Sequence, residues 1–219
     1  MAKKPKDHAM HLYTYDPAPN PKRIHYVLKY KGIELPTTQI DLAKLEQFSD
    51  EFKAVNERCS VPALKLEDGR VLCSALAIAQ YIDSVYPEKP IFGRDDIERA
   101  EVTDWTHRLF VDGYTPIQDM LRNYSKHFEN RAVVGRINVP QIPDLVTRGK
   151  MRLDDFWLMM DDHLQGREFI VTDIPTMADL DLYCLCEFSG WVKEKVPESA
   201  SNLQRWMHNF KEVLGGVSR

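Results

Sequence analysis

The apolar positions of this chain repeat with two different periods, and the change between them falls near residue 90. From His11 to Asp16 ("HLYTYD"), Leu12, Thr14 and Asp16 alternate with Tyr13 and Tyr15, which is the period and the aromatic, β-branched content of a strand. Asn20 followed by Pro21 reads as a helix start: asparagine accepts from the free amides as N-cap, and proline at the first helical position has no donor to lose. Ile24, Val27 and Leu28 give that helix a buried stripe, and Gly32 ends it. A second strand is expected within Glu34 to Leu42, followed by a polar stretch with a short helix up to Asn56. "ALKLED" and "RVLC" flank Asp68-Gly69, a pair that supplies the positive φ angles of a tight hairpin. Ala75, Ile78, Ala79, Ile82 and Val85 then fall at helical spacing, ending near Pro87.

From Ile97 onward the strand signal vanishes. Phe156, Trp157, Met160 and Leu164 mark one long helix closed by Gly166, and Asn202 to Val213 mark another. The pattern predicts a mixed α/β domain over 11–86, a proline- and glycine-containing linker over 87–97 and an all-helical domain over 98–219. Arg122 to Pro143 has no clean period and reads as a mobile loop. The basic start, 1–10, lacks the apolar core of a signal peptide and reads as a disordered tail.

Composition narrows the classes. Of 219 residues 43% are hydrophobic, yet no apolar run approaches the ~20 residues that span a bilayer, so no membrane association is expected. A net charge of -4 argues against a nucleic-acid partner. Cys59, Cys73, Cys184 and Cys186 form no Cys-x-x-Cys pair; that excludes a disulfide framework, makes a metal site unexpected and points to a reducing cytoplasm.

Two helix starts carry candidate chemistry. At Ser74 a hydroxyl, free amides and the positive end of the helix dipole make a place for a carboxylate or phosphate, although a serine there also serves as a plain cap. Thr176 and Asp179 have capping-box spacing, with Pro175 and Leu180 in the staple positions, and read as structural.

Asn-x-x-x-x-Val-Pro-x-Leu at Asn56 to Leu64, the acidic Asp-Gly hairpin, and Ser74 with Ala77, Ile78, Tyr81 and Ile82 together resemble the amino-terminal domain of cytosolic glutathione transferases. The "PTMAD" box extends the resemblance into the second half, so it covers nearly the whole chain after the first ten residues. It implies a thioredoxin-like domain followed by an all-α domain, acting on glutathione as substrate in a homodimer. By the same resemblance Pro62 is cis, the backbone of Val61 pairs with the cysteinyl part of glutathione, and Ser74 holds the γ-glutamyl carboxylate. Gln47 stands where relatives contact the glycine carboxylate, with Arg58 a substitute anchor. Cys73 replaces the acidic residue or glutamine that usually helps hold the γ-glutamyl group, which removes a polar contact and predicts poor affinity.

Catalysis requires a donor at the sulfur, since a thiol of pKa about 8.5 is mostly neutral at pH 7. The family supplies it from a Tyr, Ser or Cys just after the first strand, and "DPAPNPKR" contains none of these. Asn20 stands there, resembling the asparagine of Nu-class members, which are disulfide-bond reductases; the plain N-cap is its alternative. Tyr13 and Tyr15 are placed within the strand as packing residues. His107 is a second catalytic candidate, with a solvated histidine as its alternative, and Trp105, Phe110 and Tyr114 are expected to line the acceptor pocket. Cys73, beside a helix start, is a candidate for a lowered thiol pKa, against the inert buried cysteine. The resemblance thus implies conjugation of glutathione to a small apolar electrophile, with a glutathione-dependent disulfide reductase and a non-enzymatic binding or partner module as the alternatives.

Overall fold

The computed structural model describes residues 10–215, which form two compact units: the first runs to Lys89 and includes Val134–Arg136, and the second takes Pro90–Val133 and the chain from Ile137 onward. The expected basic tail lies outside the described residues except for Met10, which is buried at 3% exposure.

The first unit is a four-stranded sheet of order β2-β1-β3-β4. β1 (His11–Thr14) runs parallel to β2 (Thr37–Gln39) and antiparallel to β3 (Ala63–Lys65), which pairs antiparallel with β4 (Val71–Leu72). A parallel neighbour requires a crossover, and α1 (Pro19–Lys31) supplies it. The hairpin turns at Gly69, whose φ of 86° suits glycine, and Leu66 N–H closes it on the Arg70 carbonyl at 2.8 Å. A four-residue α2 (Asp50–Lys53) is capped by Ser49, which accepts from Phe52 N–H. α3 (Ala75–Val85) packs on α1. Leu12, Ile24, Val27, Ala63, Leu64, Ile78, Ala79 and Ile82 are fully buried, so the predicted stripes meet in one core. This is a thioredoxin-like arrangement.

Two boundaries differ from the sequence reading. β1 stops at Thr14 because the registers run out there: Thr14 faces Gln39, the last residue of β2, and Tyr13 faces Ala63, the first of β3. The alternation up to Asp16 continues without a partner strand. α1 begins a residue before the Asn-Pro pair, with Pro19 in its first turn and Ala18 as N-cap. Pro19 satisfies the first-turn preference as well as Pro21 does, so Asn20 lies inside the helix and is not its cap.

The second unit is helical. α4 (Asp96–Arg108) continues through a wide π turn at Leu109–Tyr114 into α5 (Thr115–Tyr124); Pro116, without an N–H, sits just beyond that turn. α6 (Asp144–His163) packs on α5 at Gly149, where a Cβ would lie 2.7 Å from both the Pro116 carbonyl oxygen and Met120 Cγ. α7 (Met177–Phe188) and α8 (Ser201–Gly215) complete the unit around Phe156, Trp157, Met160, Leu185, Leu203 and Trp206.

Two stretches read from sequence as loose are held. The Arg122 guanidinium donates to the carbonyls of Arg131, Ala132 and Val133 at 2.7, 3.2 and 2.8 Å, tying the irregular segment after α5. In the expected linker, Lys89 Nζ donates to the Tyr30 carbonyl of the first unit, while Ile91 and Phe92 are buried in the second and the Ile91 carbonyl accepts from Met177 N–H.

Candidate functional site

The strand registers show how the first unit assembles its candidate site. Leu64 faces Leu72 and Lys65 faces Val71; continued two residues, the same register sets Pro62 opposite Ser74. Tyr13 faces Ala63 in the last pair of that ladder, so the end of β1 lies beside the approach to β3. The end of β1, the approach to β3 and the start of α3 therefore meet at one end of the sheet, within about 5 Å strand spacings. The Val61–Pro62 peptide is cis. Val61 makes no hydrogen bond among the described residues, so its peptide group is available.

Asn56 fixes the loop that leads there. Only 2% exposed, it donates through Nδ2 to the Ser60 carbonyl at 2.6 Å and accepts at Oδ1 from Arg58 N–H at 3.0 Å. This is a physical reason for an asparagine six residues before the proline, one that the sequence reading did not supply.

Ser74 stands at the N-cap of α3 with φ -109° and ψ 131°, and its side chain makes no cap hydrogen bond. Exposed, its hydroxyl remains uncommitted beside the free first-turn amides. Cys73 before it is half-buried, and burial pushes its thiol pKa up, with Arg58 offsetting only part. The expected activation by the helix start is overruled by desolvation, which disfavours the thiolate. Gln47, 8% exposed in the short turn Glu46–Phe48, keeps a buried Oε1 with no partner among the described residues.

Asn20 is oriented by its helix. Arg23 Nη1 donates to its Oδ1 at 3.1 Å, and because a guanidinium only donates, the amide oxygen must face Arg23. Nδ2, the donor, is left without a partner among the described residues. The i,i+3 spacing of Asn20 and Arg23 was available in the sequence as a signal. Tyr15 was placed within the strand; it lies beyond it, in the β1–α1 loop, and its hydroxyl has no partner among the described residues. Asp16 and His25 brace this loop. Asp16 exchanges hydrogen bonds with Gln39 at 2.6 and 3.2 Å, and His25 Nε2 lies 2.9 Å from Thr14 Oγ1.

The second-unit candidates do not form one group. Trp105 is held by Arg108, 4.2 Å from its ring centroid, and by the His163 ring at 4.0 Å. Phe110 and Tyr114 stack at 6.3 Å, and buried Tyr114 stacks on Phe188 and donates to the Asp181 carbonyl. His107 is exposed on α4. Thr176 and Asp179 form the expected capping box: Asp179 Oδ2 accepts from Thr176 N–H and hydroxyl at 2.9 and 2.8 Å, and Oδ1 accepts from Ile170 N–H at 2.9 Å. Burial raises the Asp179 carboxyl to about 6 despite these bonds. Among the described residues no cluster of ligating side chains suited to a metal ion occurs, and no helix is long and apolar enough to cross a membrane.

A thioredoxin-like unit with a cis-proline and an open serine-started helix, followed by a helical unit, defines the class of glutathione transferase folds. The comparisons agree. The family described as "Glutathione S-transferase, N-terminal domain" matches residues 18–85. Protein LigF of Sphingobium sp. strain SYK-6 is 37% identical over 105 residues, 47% of this chain and 40% of that protein, so the match spans less than half of it. Glutathione S-transferase D7 of Drosophila melanogaster is 27% identical over 207 residues, 94% of this chain and 85% of that one. The crystal structure of Gtt2 from Saccharomyces cerevisiae superposes with a TM-score of 0.84 at 22% identity, covering 94% of this chain and 99% of that one. Residues 18–85 thus match the glutathione S-transferase N-terminal domain family, and the described chain has the glutathione transferase fold.

Proposed function

We propose that the protein activates the thiol of glutathione and transfers it to a small, mostly apolar electrophile. The observation that carries this reading is Ser74: a helix-start hydroxyl, exposed and free of its own cap bond, two residues beyond the last β3–β4 pair on the same end of the sheet as the cis-proline. Ser74 and the first amides of α3 hold the γ-glutamyl carboxylate, the peptide group of Val61 pairs with the cysteinyl part, and Gln47 takes the glycine end. Asn20 Nδ2, at the positive end of α1, donates to the thiolate and lowers its pKa. Tyr15, whose hydroxyl has no partner among the described residues, is the competing donor. His107 acts on water or the acceptor if neither does, and Phe110, the exposed one of the three aromatic candidates, belongs to the acceptor side, while Tyr114 is buried with its hydroxyl on the Asp181 carbonyl and Trp105 is covered by Arg108 and His163. The rate then comes from a larger thiolate fraction and from proximity. We further propose a homodimer working in the cytoplasm without metal.

The match to LigF, whose solved structure is described as that of a beta-etherase, favours an ether among the electrophiles. Attack of the thiolate on the ether carbon breaks the carbon–oxygen bond, and the leaving oxygen takes the proton. Asn20 favours the disulfide-reductase alternative. Calorimetric titration with glutathione, followed by turnover of an apolar halide, an aryl ether and a glutathione mixed disulfide, tests the proposal. Saturable binding with turnover of the halide or ether supports it. Turnover of the mixed disulfide alone moves the chemistry to reduction, and absence of binding leaves the non-enzymatic module.

A further inference from the structure

The start of α1 is short of donors. Its first three residues are Pro19, Asn20 and Pro21, and a proline carries no N–H, so Asn20 brings the one backbone amide among them. That amide has no acceptor among the described residues, and the next one, of Lys22, already donates to the Ala18 carbonyl at 3.0 Å. A helix start ordinarily offers several free amides to a negative group; this one offers a single amide and the Asn20 side chain.

One turn further on, Arg23 is only 4% exposed, so its guanidinium is confined and cannot swing out to water. Its Nη1 donates to Asn20 Oδ1 at 3.1 Å. The bond has two effects. It keeps the amide from turning over, which would present an acceptor in place of a donor, and it draws electron density toward Oδ1, which makes the Nδ2 protons better donors. The other charged groups of this turn and the loop before it are engaged elsewhere: Lys22 Nζ lies 5.8 Å from the Tyr26 ring centroid, and Asp16 exchanges hydrogen bonds with Gln39.

We propose that Arg23 is a positioning residue of the thiol site, holding the Asn20 amide with Nδ2 turned toward the sulfur and making it a stronger donor than the proline-rich helix start alone would supply. The inference rests on the reading of Asn20 as the donor to the thiolate. Arg23 acts through Asn20 and does not touch the ligand.

The test is the pKa of bound glutathione, followed by thiolate absorbance against pH, in Asn20→Ala, Arg23→Gln, Arg23→Lys and the double variant Asn20→Ala with Arg23→Gln, with circular dichroism to check folding. Arg23→Gln should raise that pKa by about one pH unit, a tenfold smaller ionisation constant, and leave affinity for S-methylglutathione, which has no thiol to ionise, within about twofold. Arg23→Lys keeps a charge and a donor and should recover about half of the change. Once Asn20 is alanine, Arg23→Gln should add nothing. A merely structural role lowers melting temperature without moving the thiol pKa. If Asn20→Ala raises the pKa and Arg23→Gln does not, the positioning role is overturned and the reading of Asn20 stands; the full change persisting without Asn20 overturns it as well. If Asn20→Ala leaves the pKa where it was, or the parent binds no glutathione, that reading fails and takes this role with it. Should Arg23→Gln not fold, Asn20→Asp decides, because Arg23 stays in place: with one carboxylate oxygen held by the guanidinium, the other faces the thiol, and the pKa should rise above that of Asn20→Ala. A rise no greater than in Asn20→Ala overturns the proposal.

Discussion

The helix starts at Ser74 and Thr176 both carry a hydroxyl, and the surroundings of the two hydroxyls are opposite. At α7, Thr176 is fully buried, and Asp179 closes the start by accepting from both its backbone and its hydroxyl. At α3, Ser74 is exposed and its oxygen accepts nothing from the turn it begins. The same helix-start chemistry is saturated internally in one place and left open in the other. A closed start can only hold the fold together, whereas an open one has donors to offer a ligand.

The sharpest way to break the comparison is to empty the closed start. Asp179→Ala leaves Ile170 N–H and Thr176 N–H without an acceptor in a fully buried place. At about 1–3 kcal/mol for each orphaned group, urea denaturation should show a loss of about 2–6 kcal/mol. A smaller loss means that water has entered to replace the carboxylate.

The same carboxyl makes stability depend on pH. Its pKa is raised from 3.8 to about 6, so between those values the folded chain keeps a proton that the unfolded chain has released. The stabilisation this group contributes is complete below about pH 4 and is lost as pH rises through 6, about 3 kcal/mol in all. Asp179→Asn has no such titration, so its stability relative to the parent should rise across that window. A difference independent of pH would contradict the raised pKa.

Substituting the two hydroxyls themselves should give opposite readouts. Ser74→Ala should weaken glutathione binding by about 1.5–3 kcal/mol, as for a lost hydrogen bond to a charged group, and change stability by less than about 0.5 kcal/mol because no cap bond exists to lose. Thr176→Ala should lower stability by about 0.5–2 kcal/mol and spare affinity. If both variants lose only stability, the open start is a plain cap.

The smallest effect concerns the thiolate donor. Asn20→Ala should raise the pKa of bound glutathione, followed by thiolate absorbance against pH, whereas Tyr15→Phe should leave it unchanged. The reverse result moves the donor to Tyr15.

Much of this was legible in the chain. The Asp68-Gly69 hairpin, the stripes of α1 and α3, the position of Ser74 and the Thr176–Asp179 box all rest on local chemistry, which a short window contains. What was not legible depends on distant partners. The alternation of "HLYTYD" gives no hint that β1 ends at Thr14, because the limit is set by where β2 and β3 run out. Asn-Pro and Pro-Asn are equally good helix starts on paper, so Pro19 displaced the predicted one. The π turn at Leu109–Tyr114 has no periodic signature, and His163 meets Trp105 across 58 residues of chain. The rise of the Cys73 pKa required knowing how far the thiol is buried.

Lys31, at the end of α1, has consequences for anyone wishing to separate the halves of this molecule. Its side chain is only 1% exposed; the ammonium pairs with Asp83 of α3 at 2.6 Å and donates to the carbonyls of Glu88 and Lys89 at 3.0 and 2.9 Å. An excised first unit must therefore extend through Lys89. A cut after Val85, where the last helix of that unit ends, would remove two of the three acceptors from a buried cation and give a fragment that fails for want of four residues, although every strand and helix of the unit is present.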